Sequence, residues 1–410
     1  MRILWVKVGS LYPLDTGGKK RSHAMLRELS KEHEVTYLGL RDPSEDLTEE
    51  EKNDPYAKKK EWVDWRAASK NSLAFGFCLL FNFISSLPYA LAKYRSVSLQ
   101  ERLHSLAREN RFDLIVCDFL APAMNFAGHI FRAPVVLFQH NMEAQIWKRM
   151  AESQKSWVRR SYFSSQWRRM KAWEGKLSTA FRGVITVSPE DTRHAREEYG
   201  LPNVLGDVPT GVDVSHFAIP GESVGPVARG GPFTIGFLGS MDWMPNIDAV
   251  EYFVAEILPL VRRDMAKTRL KIIGRNPTAG IRALAHGGEG RIEVTGTVED
   301  VRPHVRECHV IVVPLRAGGG TRIKIFEAMA MGVPVVSTTI GAEGLPVTHG
   351  EDILLADDSV SFAEALKSVA RDPVQAVAIA AQAREKVERD HSWASATKKF
   401  MNLCQPILVG

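Results

Sequence analysis

"VIVVPLRAGGGTRIKIFEAMAMGVPVVST", residues 310–338, contains a complete strand–helix–strand unit. The runs "VIVVP" and "PVVST" are short and rich in β-branched residues, as buried strands are. Between them "TRIKIFEAMAMG" has the apolar spacing of a helix, which ends at Gly332 with Pro334 just beyond. Two strands joined in this way by a helix form the repeating unit of a parallel α/β sheet.

The same alternation continues along most of the chain. Continuous apolar strands separated by helical patterns predict parallel sheets that are covered on both faces. The chain has 410 residues, of which 45% are hydrophobic, and this length predicts two hydrophobic cores rather than one. Further predicted strands are 113–119, 134–139, 183–188, 233–239, 270–274 and 291–296.

Proline and glycine become dense between residues 202 and 232, and helical periodicity disappears there. We therefore predict one domain over residues 1–208 and a second over residues 209–390. Both are expected to be doubly wound, Rossmann-like parallel-sheet domains that face each other across a cleft. In such sheets ligands bind outside the carboxyl ends of the strands.

The three glycines of the opening stretch fall at a strand-to-helix turn. A helix N-terminus offers unpaired N–H groups and a partial positive charge, and glycine lets an anion approach closely. Arg322 and Lys324 place two cations in the first turn, where the helix dipole disfavours them unless an anion is bound. These features predict a phosphate cradle formed by Gly318, Gly319, Gly320, Thr321, Arg322 and Lys324.

Glu327 lies six residues beyond Thr321, about 9 Å along a helix axis. Its carboxylate could accept hydrogen bonds from the two vicinal hydroxyls of a ribose whose diphosphate rests on the glycines. A solvated helix position is the alternative interpretation of Glu327. One nucleoside diphosphate would satisfy the glycines, both cations and this acid.

Composition limits the remaining classes of function. The cysteines at positions 78, 117, 308 and 404 form no CxxC pair, which favours free thiols and a cytoplasmic location. "MRILWVKV" at the start is too short for a signal peptide and is predicted to be the first strand. A nicotinamide oxidoreductase should have G-x-G-x-x-G directly after that strand, and "VGSLYPLDTGG" lacks this spacing.

Two stretches raise the question of a membrane. Residues 71–94 are apolar but too interrupted to span a bilayer, so they form either a core segment or a surface for a lipid or acceptor. Residues 147–176 carry nine cations and four tryptophans and predict a basic, aromatic-rich helix. This helix has either a solvated face or a face for anionic lipid headgroups. The net charge of only +5 argues against nucleic acid.

The chain as a whole resembles a retaining glycosyltransferase of family 4. The resemblance spans nearly the whole sequence and implies the GT-B fold, with the donor held by the C-terminal domain and the acceptor by the N-terminal one. It also implies that no metal or other cofactor is required, and that a closing helix within 391–410 returns to the first domain. The segments that carry it, besides the opening stretch, are 12–38, 136–143, 185–191, 209–213, 236–246 and 294–303.

The resemblance assigns roles to individual residues. Glu327 is similar to the second acid of the family's Glu-x7-Glu motif, whereas Gly319 occupies the position of the first acid, which leaves the transferred sugar undefined. His140 is similar to a histidine beside the transferred sugar. His140, Arg322, Lys324 and Glu327 are the predicted catalytic residues. Gly17, Gly18 and Gly239 are predicted to join the donor phosphate site, and Arg275, Thr295 and Gly296 to contact the ribose or base.

The implied reaction moves a sugar from a nucleoside-diphosphate sugar to an acceptor hydroxyl with retention of configuration. Expected partners are this donor and a glycan or lipid-linked acceptor of cell-envelope or exopolysaccharide assembly, with no nucleic acid. The expected location is the cytoplasm, with attachment to the inner face of the membrane as an additional feature. A sugar-nucleotide epimerase of the same fold and a non-catalytic nucleotide-sugar binding protein are the alternatives.

Overall fold

The computed structural model describes residues 1–14, 16–44, 46–66, 82, 85–152, 156–218, 231–241, 243–287, 290–316 and 323–408. The chain forms two compact units. The first consists of Met1–Pro209 with Ala396–Gly410, and the second of Thr210–Ser395.

The first unit contains a seven-stranded parallel sheet in the order β3-β2-β1-β4-β5-β6-β7. The order reverses between β1 and β4, and the carboxyl ends of strands beside such a point are where α/β sheets bind ligands. Its strands are β1 (Arg2–Val8), β2 (Glu34–Arg41), β3 (Lys59–Asp64), β4 (Leu114–Asp118), β5 (Val135–Phe138), β6 (Gly183–Thr186) and β7 (Val204–Asp207).

The second unit contains a six-stranded parallel sheet in the order β10-β9-β8-β11-β12-β13. Here the order reverses between β8 and β11. Its strands are β8 (Thr234–Leu238), β9 (Arg269–Ile273), β10 (Ile292–Gly296), β11 (Val310–Val313), β12 (Val335–Ser337) and β13 (Leu354–Leu355). Two doubly wound sheets confirm the predicted fold class.

Helices connect the strands, and several begin at a side chain that caps them. Thr16 accepts a hydrogen bond from the Lys19 N–H, and Asp358 accepts from the Val360 and Ser361 N–H groups. The helices are α1 (Gly17–Leu29), α2 (Glu49–Asn53), α3 (Tyr89–Ala92), α4 (Val97–Glu109), α5 (Glu143–Glu152), α6 (Trp157–Thr179), α7 (Pro189–Glu197), α8 (Val214–Phe217), α9 (Met244–Tyr252), α10 (Leu258–Asp264), α11 (Ala279–Gly287), α12 (Arg302–Arg306), α13 (Ile323–Ala330), α14 (Ser359–Arg371), α15 (Pro373–Asp390) and α16 (Trp393–Leu408).

The C-terminal helix α16 contributes to the core of the first unit. The Phe400 ring lies 5.9 Å from Trp5 and 5.2 Å from Phe138, measured between ring centroids, and all three side chains are buried. The Thr397 hydroxyl contacts the Met25 sulfur at 3.3 Å. Aromatic packing of this kind explains why the chain from Ala396 onward belongs to the first unit.

The basic stretch 147–176 differs from the single helix predicted for it. It includes most of α5 and α6, which pack against each other, while residues 153–155 lie outside the described part of the chain. Trp147, Trp167 and Trp173 pack against the core of the first unit, whereas Trp157 is 80% exposed.

Most of the apolar stretch 71–94 also lies outside the described residues. Among the helices that are described, none is long and apolar enough to cross a membrane. Cys117, Cys308 and Cys404 are buried free thiols, and Cys78 belongs to the part that is not described.

Candidate functional site

In the second unit the backbone after β8 closely approaches the backbone after β9. A Cβ atom added at Gly274 would lie 1.8 Å from the Gly239 carbonyl oxygen, so this position requires glycine. The Gly239 N–H donates to the Ile273 carbonyl at 3.0 Å. The two strand ends are therefore held together beside the point where the strand order reverses.

Lys324 lies in the first turn of α13, and its side chain extends toward the end of β8. Its Nζ donates to Asn246 Oδ1 at 2.9 Å and lies 4.7 Å from the centroid of the Phe237 ring. Asn246 is buried in α9, and its Nδ2 donates to the Ser240 carbonyl at 2.8 Å. The predicted phosphate-binding lysine is thus fixed against the strand end that carries Gly239.

Three further residues assigned to the second unit lie at carboxyl ends of its strands, and a fourth lies in α13. Arg275 follows β9, is exposed, and donates from Nε to Ser240 Oγ at 3.0 Å. Thr295 and Gly296 end β10, and Gly296 has a φ of 73°, which favours glycine. Glu327 is partly buried in α13, one turn beyond Lys324.

Five of the predicted cradle residues cannot be placed. Gly318, Gly319, Gly320, Thr321 and Arg322 lie outside the described part of the chain. Their assignment to the phosphate stays a prediction.

In the first unit a buried carboxylate lies at the corresponding reversal of strand order. Asp118 ends β4 and is fully buried, and its Oδ2 accepts from Trp5 Nε1 at 2.8 Å, Ser22 Oγ at 2.6 Å and Lys7 Nζ at 3.1 Å. Burial would raise the pKa of Asp118, but the charge of Lys7 and the hydrogen bond from Ser22 oppose it and hold that pKa below its ordinary value. Asp118 is therefore ionised at neutral pH.

His140 lies beside this carboxylate, just after β5. Its Nε2 is 2.8 Å from Asp118 Oδ1, and only 7% of the residue is exposed. Burial lowers the pKa of His140 to about 3, and the opposing attraction of Asp118 does not restore it. The imidazole is therefore neutral at physiological pH.

Gly17 and Gly18, predicted as a glycine loop, are the first two residues of α1. A Cβ atom at Gly18 would lie 2.6 Å from the Phe119 ring, whereas one at Gly17 would meet nothing within 4 Å. Phe119 stacks on His140 with 3.8 Å between ring centroids and has a φ of 75°, which is strained for a bulky residue. Gly18 therefore makes room for the side chain that covers one face of His140.

The backbone after His140 is held by a second buried acid. Glu174 of α6 accepts from the N–H groups of Glu143 and Ala144 at 2.8 and 3.1 Å, which caps the start of α5. It also accepts from Gln139 Nε2 at 3.2 Å. Burial and the charge of Glu174 raise the pKa of Glu143 to about 7.

Sequence reasoning did not identify Asp118, Lys7, Asn246 or Glu174 as part of these sites. Asn246 follows "GSMDWMP" directly after a predicted strand, and Asp118 ends the predicted strand "DLIVCDF", so strand-end position was an available signal for both. Lys7 lies inside an apolar strand, where an isolated cation indicates a buried partner. In the described part of the chain no group of three or more His, Cys, Asp or Glu side chains is arranged to hold a metal ion.

Two doubly wound units, each with polar side chains at its reversal of strand order, define a two-domain α/β protein of the GT-B glycosyltransferase class. Sucrose-phosphate synthase from Thermosynechococcus elongatus has a similar fold, with a TM-score of 0.64 and 16% identity, over 100% of this chain and 99% of that one. The Anabaena protein HepE, solved with UDP, gives a TM-score of 0.63 and 15% identity, over 99% of this chain and 100% of that one.

The sequence matches two family descriptions that together cover most of its length. Residues 16–216 match "Glycosyltransferase Family 4" and residues 232–372 match "Glycosyl transferases group 1". The chain belongs to this glycosyltransferase family. A phosphatidyl-myo-inositol mannosyltransferase from Mycobacterium leprae is 27% identical over 242 residues, which are 58% of this chain and 62% of the relative. The alignment thus spans less than two thirds of that relative's length.

Proposed function

We propose that the protein is a retaining glycosyltransferase that moves a sugar from a nucleoside-diphosphate sugar to an acceptor hydroxyl. Family membership supports the transferase class. The observation that carries the donor assignment is Lys324 fixed by Asn246 next to Gly239, where the first turn of a helix meets the end of β8. A cation, bare backbone and a helix N-terminus together suit a diphosphate.

In the proposed reaction the sugar–phosphate bond breaks early, and the departing phosphate oxygen takes the proton of the attacking acceptor hydroxyl on the same face. The new glycosidic bond forms on that face, so configuration is retained without a protein nucleophile. The protein's part is to orient both substrates and to stabilise the negative charge that develops on the leaving diphosphate. Lys324 and Arg322 would supply this stabilisation, and His140 would contact the transferred sugar.

The donor proposal is tested by thermal unfolding with UDP, GDP and ADP in the presence of EDTA. A ligand that binds only the folded state raises apparent stability. One diphosphate should raise the melting temperature without a divalent cation, because Lys324 and Arg322 supply the positive charge. A strict requirement for magnesium or manganese would contradict metal independence, although not the donor class.

The reaction class is tested by following the donor together with candidate acceptors. Transfer should produce a new α- or β-linked product with the anomeric configuration of the donor. A donor that is consumed to an epimer, or to free sugar in every acceptor condition, would instead favour the epimerase alternative. Binding with no turnover at all would favour the non-catalytic alternative.

The acceptor is proposed to be a glycan or a lipid-linked molecule of envelope or exopolysaccharide assembly. The Mycobacterium leprae relative, which bears the name of a phosphatidyl-myo-inositol mannosyltransferase, supports this class. Exposed apolar side chains at the start of α6 also support a lipid-linked acceptor. Trp157 and Val158 are 80% and 56% exposed, and the next two residues, Arg159 and Arg160, are exposed cations. Apolar side chains beside cations suit an anionic lipid surface.

Co-sedimentation with phosphatidylglycerol-containing vesicles tests this surface. Binding should weaken as salt rises, and Trp157→Ser with Val158→Ser should reduce it. Val374→Ser is a matched control, because Val374 is 81% exposed in the second unit. Absence of binding even at low salt would leave these residues as a solvated helix end.

A further inference from the structure

The first unit contains a cavity of about 500 Å³ at the edge of its sheet where β5 and β6 begin. Val135, the first residue of β5, and Arg182, the residue before β6, both line it. His140 follows the other end of β5, so the cavity and the His140 site lie at opposite edges of the sheet. A cavity of this size is within the range of about 300–1,000 Å³ that is usual for small-molecule sites.

The floor of the cavity is apolar and largely aromatic. The Phe126 ring lies 5.8 Å from the Phe131 ring and 5.7 Å from the Phe181 ring, measured between centroids. Leu177 of α6 and Ile407 of α16 add aliphatic surface. All of these side chains except Phe131 are buried, so the floor is formed by the packing of the unit itself.

Two arginines lie at the rim of this apolar floor. Arg132 and Arg182 line the cavity and are exposed, and their side chains make no hydrogen bond or ion pair within the described part of the chain. None of the described residues that line the cavity is an aspartate or a glutamate. The rim therefore carries positive charge that the protein does not neutralise, and guanidinium groups bind phosphate and carboxylate well.

A large apolar side chain extends the same surface into solvent. Ile130 lines the cavity and is 96% exposed. It lies between His129 and Phe131, which also line the cavity. Exposed apolar surface that continues an apolar cavity is typical of a binding site for an apolar group.

We propose that this cavity binds one hydrocarbon chain of an anionic lipid, whose phosphate contacts Arg132 and Arg182. The apolar floor suits the chain, and the uncompensated arginines suit the charged end. A neutral lipid would leave both arginines without an anion, and a small anion would leave the aromatic floor empty.

The proposed site is separate from the exposed surface at the start of α6. Trp157 and Leu177 are both in α6 and are twenty residues apart, which is about 30 Å along the helix axis. The site also lies away from the sheet edge that carries His140. The proposal therefore does not depend on glycosyl transfer, and failure of either one would leave the other standing.

Titration calorimetry of the whole protein with dodecyl phosphate, below its critical micelle concentration, tests the proposal. Affinity should increase by up to about 4-fold for each methylene from octyl to dodecyl phosphate, because each added methylene is buried. It should also weaken as salt rises. Inorganic phosphate and the uncharged dodecyl maltoside test the two ends of the ligand separately. Binding of dodecyl phosphate that is no tighter than binding of either would overturn the proposal.

The role of the arginines is tested by the double variant Arg132→Gln with Arg182→Gln. Affinity for dodecyl phosphate should fall about 10-fold or more, because hydrogen bonds to a charged group are lost. Both arginines are exposed, so the variant should fold, which circular dichroism would verify. Arg269→Gln is the matched control, since Arg269 is an exposed arginine where β9 begins in the second unit. Unchanged affinity in the double variant would refute the assigned contacts.

The cavity itself is tested by filling it. Ala180 lines the cavity and is exposed, so Ala180→Trp should fill the cavity without disturbing the core and should abolish binding. Ala172→Trp is the control, because Ala172 is exposed in the same helix and is not among the residues that line the cavity. Wild-type affinity in Ala180→Trp would contradict the proposed site.

Sedimentation velocity distinguishes a lipid from a second copy of this chain as the occupant. The proposal predicts that Ala180→Trp leaves the oligomeric state unchanged. A concentration-dependent dimer that Ala180→Trp dissociates would show that another protomer covers the cavity, and this would overturn the lipid assignment.

Discussion

The two units place polar groups at the same topological point but hold them in opposite ways. In the first unit Asp118 and His140 are 0% and 7% exposed and are paired within the protein. In the second unit Arg275 is exposed and Lys324 is only partly buried, fixed by the neutral amide of Asn246.

This contrast separates two kinds of function. A buried cluster whose charges are paired within the protein orients a side chain accurately, but most of its charge is neutralised before a ligand binds. A partly exposed lysine beside glycine backbone, such as Lys324 near Gly239, keeps its positive charge available for an incoming anion. We infer that the first unit contributes orientation and the second contributes electrostatic stabilisation.

The largest effect should come from removing the lysine of the second unit. Lys324→Ala is expected to lower kcat about 100- to 1000-fold, the usual cost of losing one donor to a charge that develops in the transition state. Donor affinity should fall less, because the interaction strengthens as the diphosphate departs. Steady-state kinetics with Lys267→Ala as an exposed control in the same unit would measure this. An unchanged kcat would remove Lys324 from catalysis.

The fold class could be predicted from the sequence because its strands are continuous apolar runs. The runs "VIVVP" and "GVITVS" have apolar side chains on both faces of the strand, which is typical of a parallel sheet covered on both sides. The structure has strands at Val310–Val313 and Gly183–Thr186. The sequence did not predict the start of a separate helix after Ser156, whose backbone is extended, because cations and tryptophans occur on both sides of it.

The candidate site was predictable only where a residue carries its signal in local sequence. Lys324 stands out because a cation in a first helical turn opposes the helix dipole. Asp118 and Lys7 are distant in sequence, and only the pairing of β1 with β4 brings them together. Glu174 is likewise distant in sequence from Glu143, the residue after the His140 loop whose N–H donates to it. Pairings of this kind depend on topology, which local patterns do not encode.

The second-largest effect concerns the acid of the second unit. Glu327→Gln should weaken nucleoside-diphosphate binding by about 1.5–3 kcal/mol, the range for hydrogen bonds to a charged group. Turnover at saturating donor should change less than in Lys324→Ala. Titration calorimetry with the exposed Glu343→Gln as control distinguishes the two roles within α13. Wild-type affinity in Glu327→Gln would leave this acid as a solvated helix residue.

The burial of His140 in the first unit predicts that the protein loses stability in acid. The pKa of His140 is about 3 in the folded protein and about 6.5 when unfolded, so between these values only the unfolded state takes up the proton. Stability should therefore fall as pH decreases below 6.5, with His140 accounting for about 2 kcal/mol at pH 5. Denaturant unfolding should show a shallower loss from pH 7 to 4.5 in His140→Gln. The exposed His286→Gln serves as control, and equal slopes in wild type and His140→Gln would contradict a buried neutral imidazole.

The smallest expected effect comes from Glu143, whose pKa is shifted upward, whereas that of His140 is shifted downward. It tests how far the buried region around His140 extends. Burial beside Glu174 raises the pKa of Glu143 to about 7, so its carboxyl is protonated more readily in the folded than in the unfolded state. Its contribution to stability is complete below its unfolded pKa and is lost as pH rises through 7. Glu143→Gln keeps the shape and removes the charge, and should therefore stabilise the protein at pH 8 by on the order of 1 kcal/mol, with no gain at pH 4.5. Glu152→Gln, at the exposed end of the same helix, should change neither value. No gain at either pH value would mean that Glu143 is solvated, and the buried region would then end at Glu174.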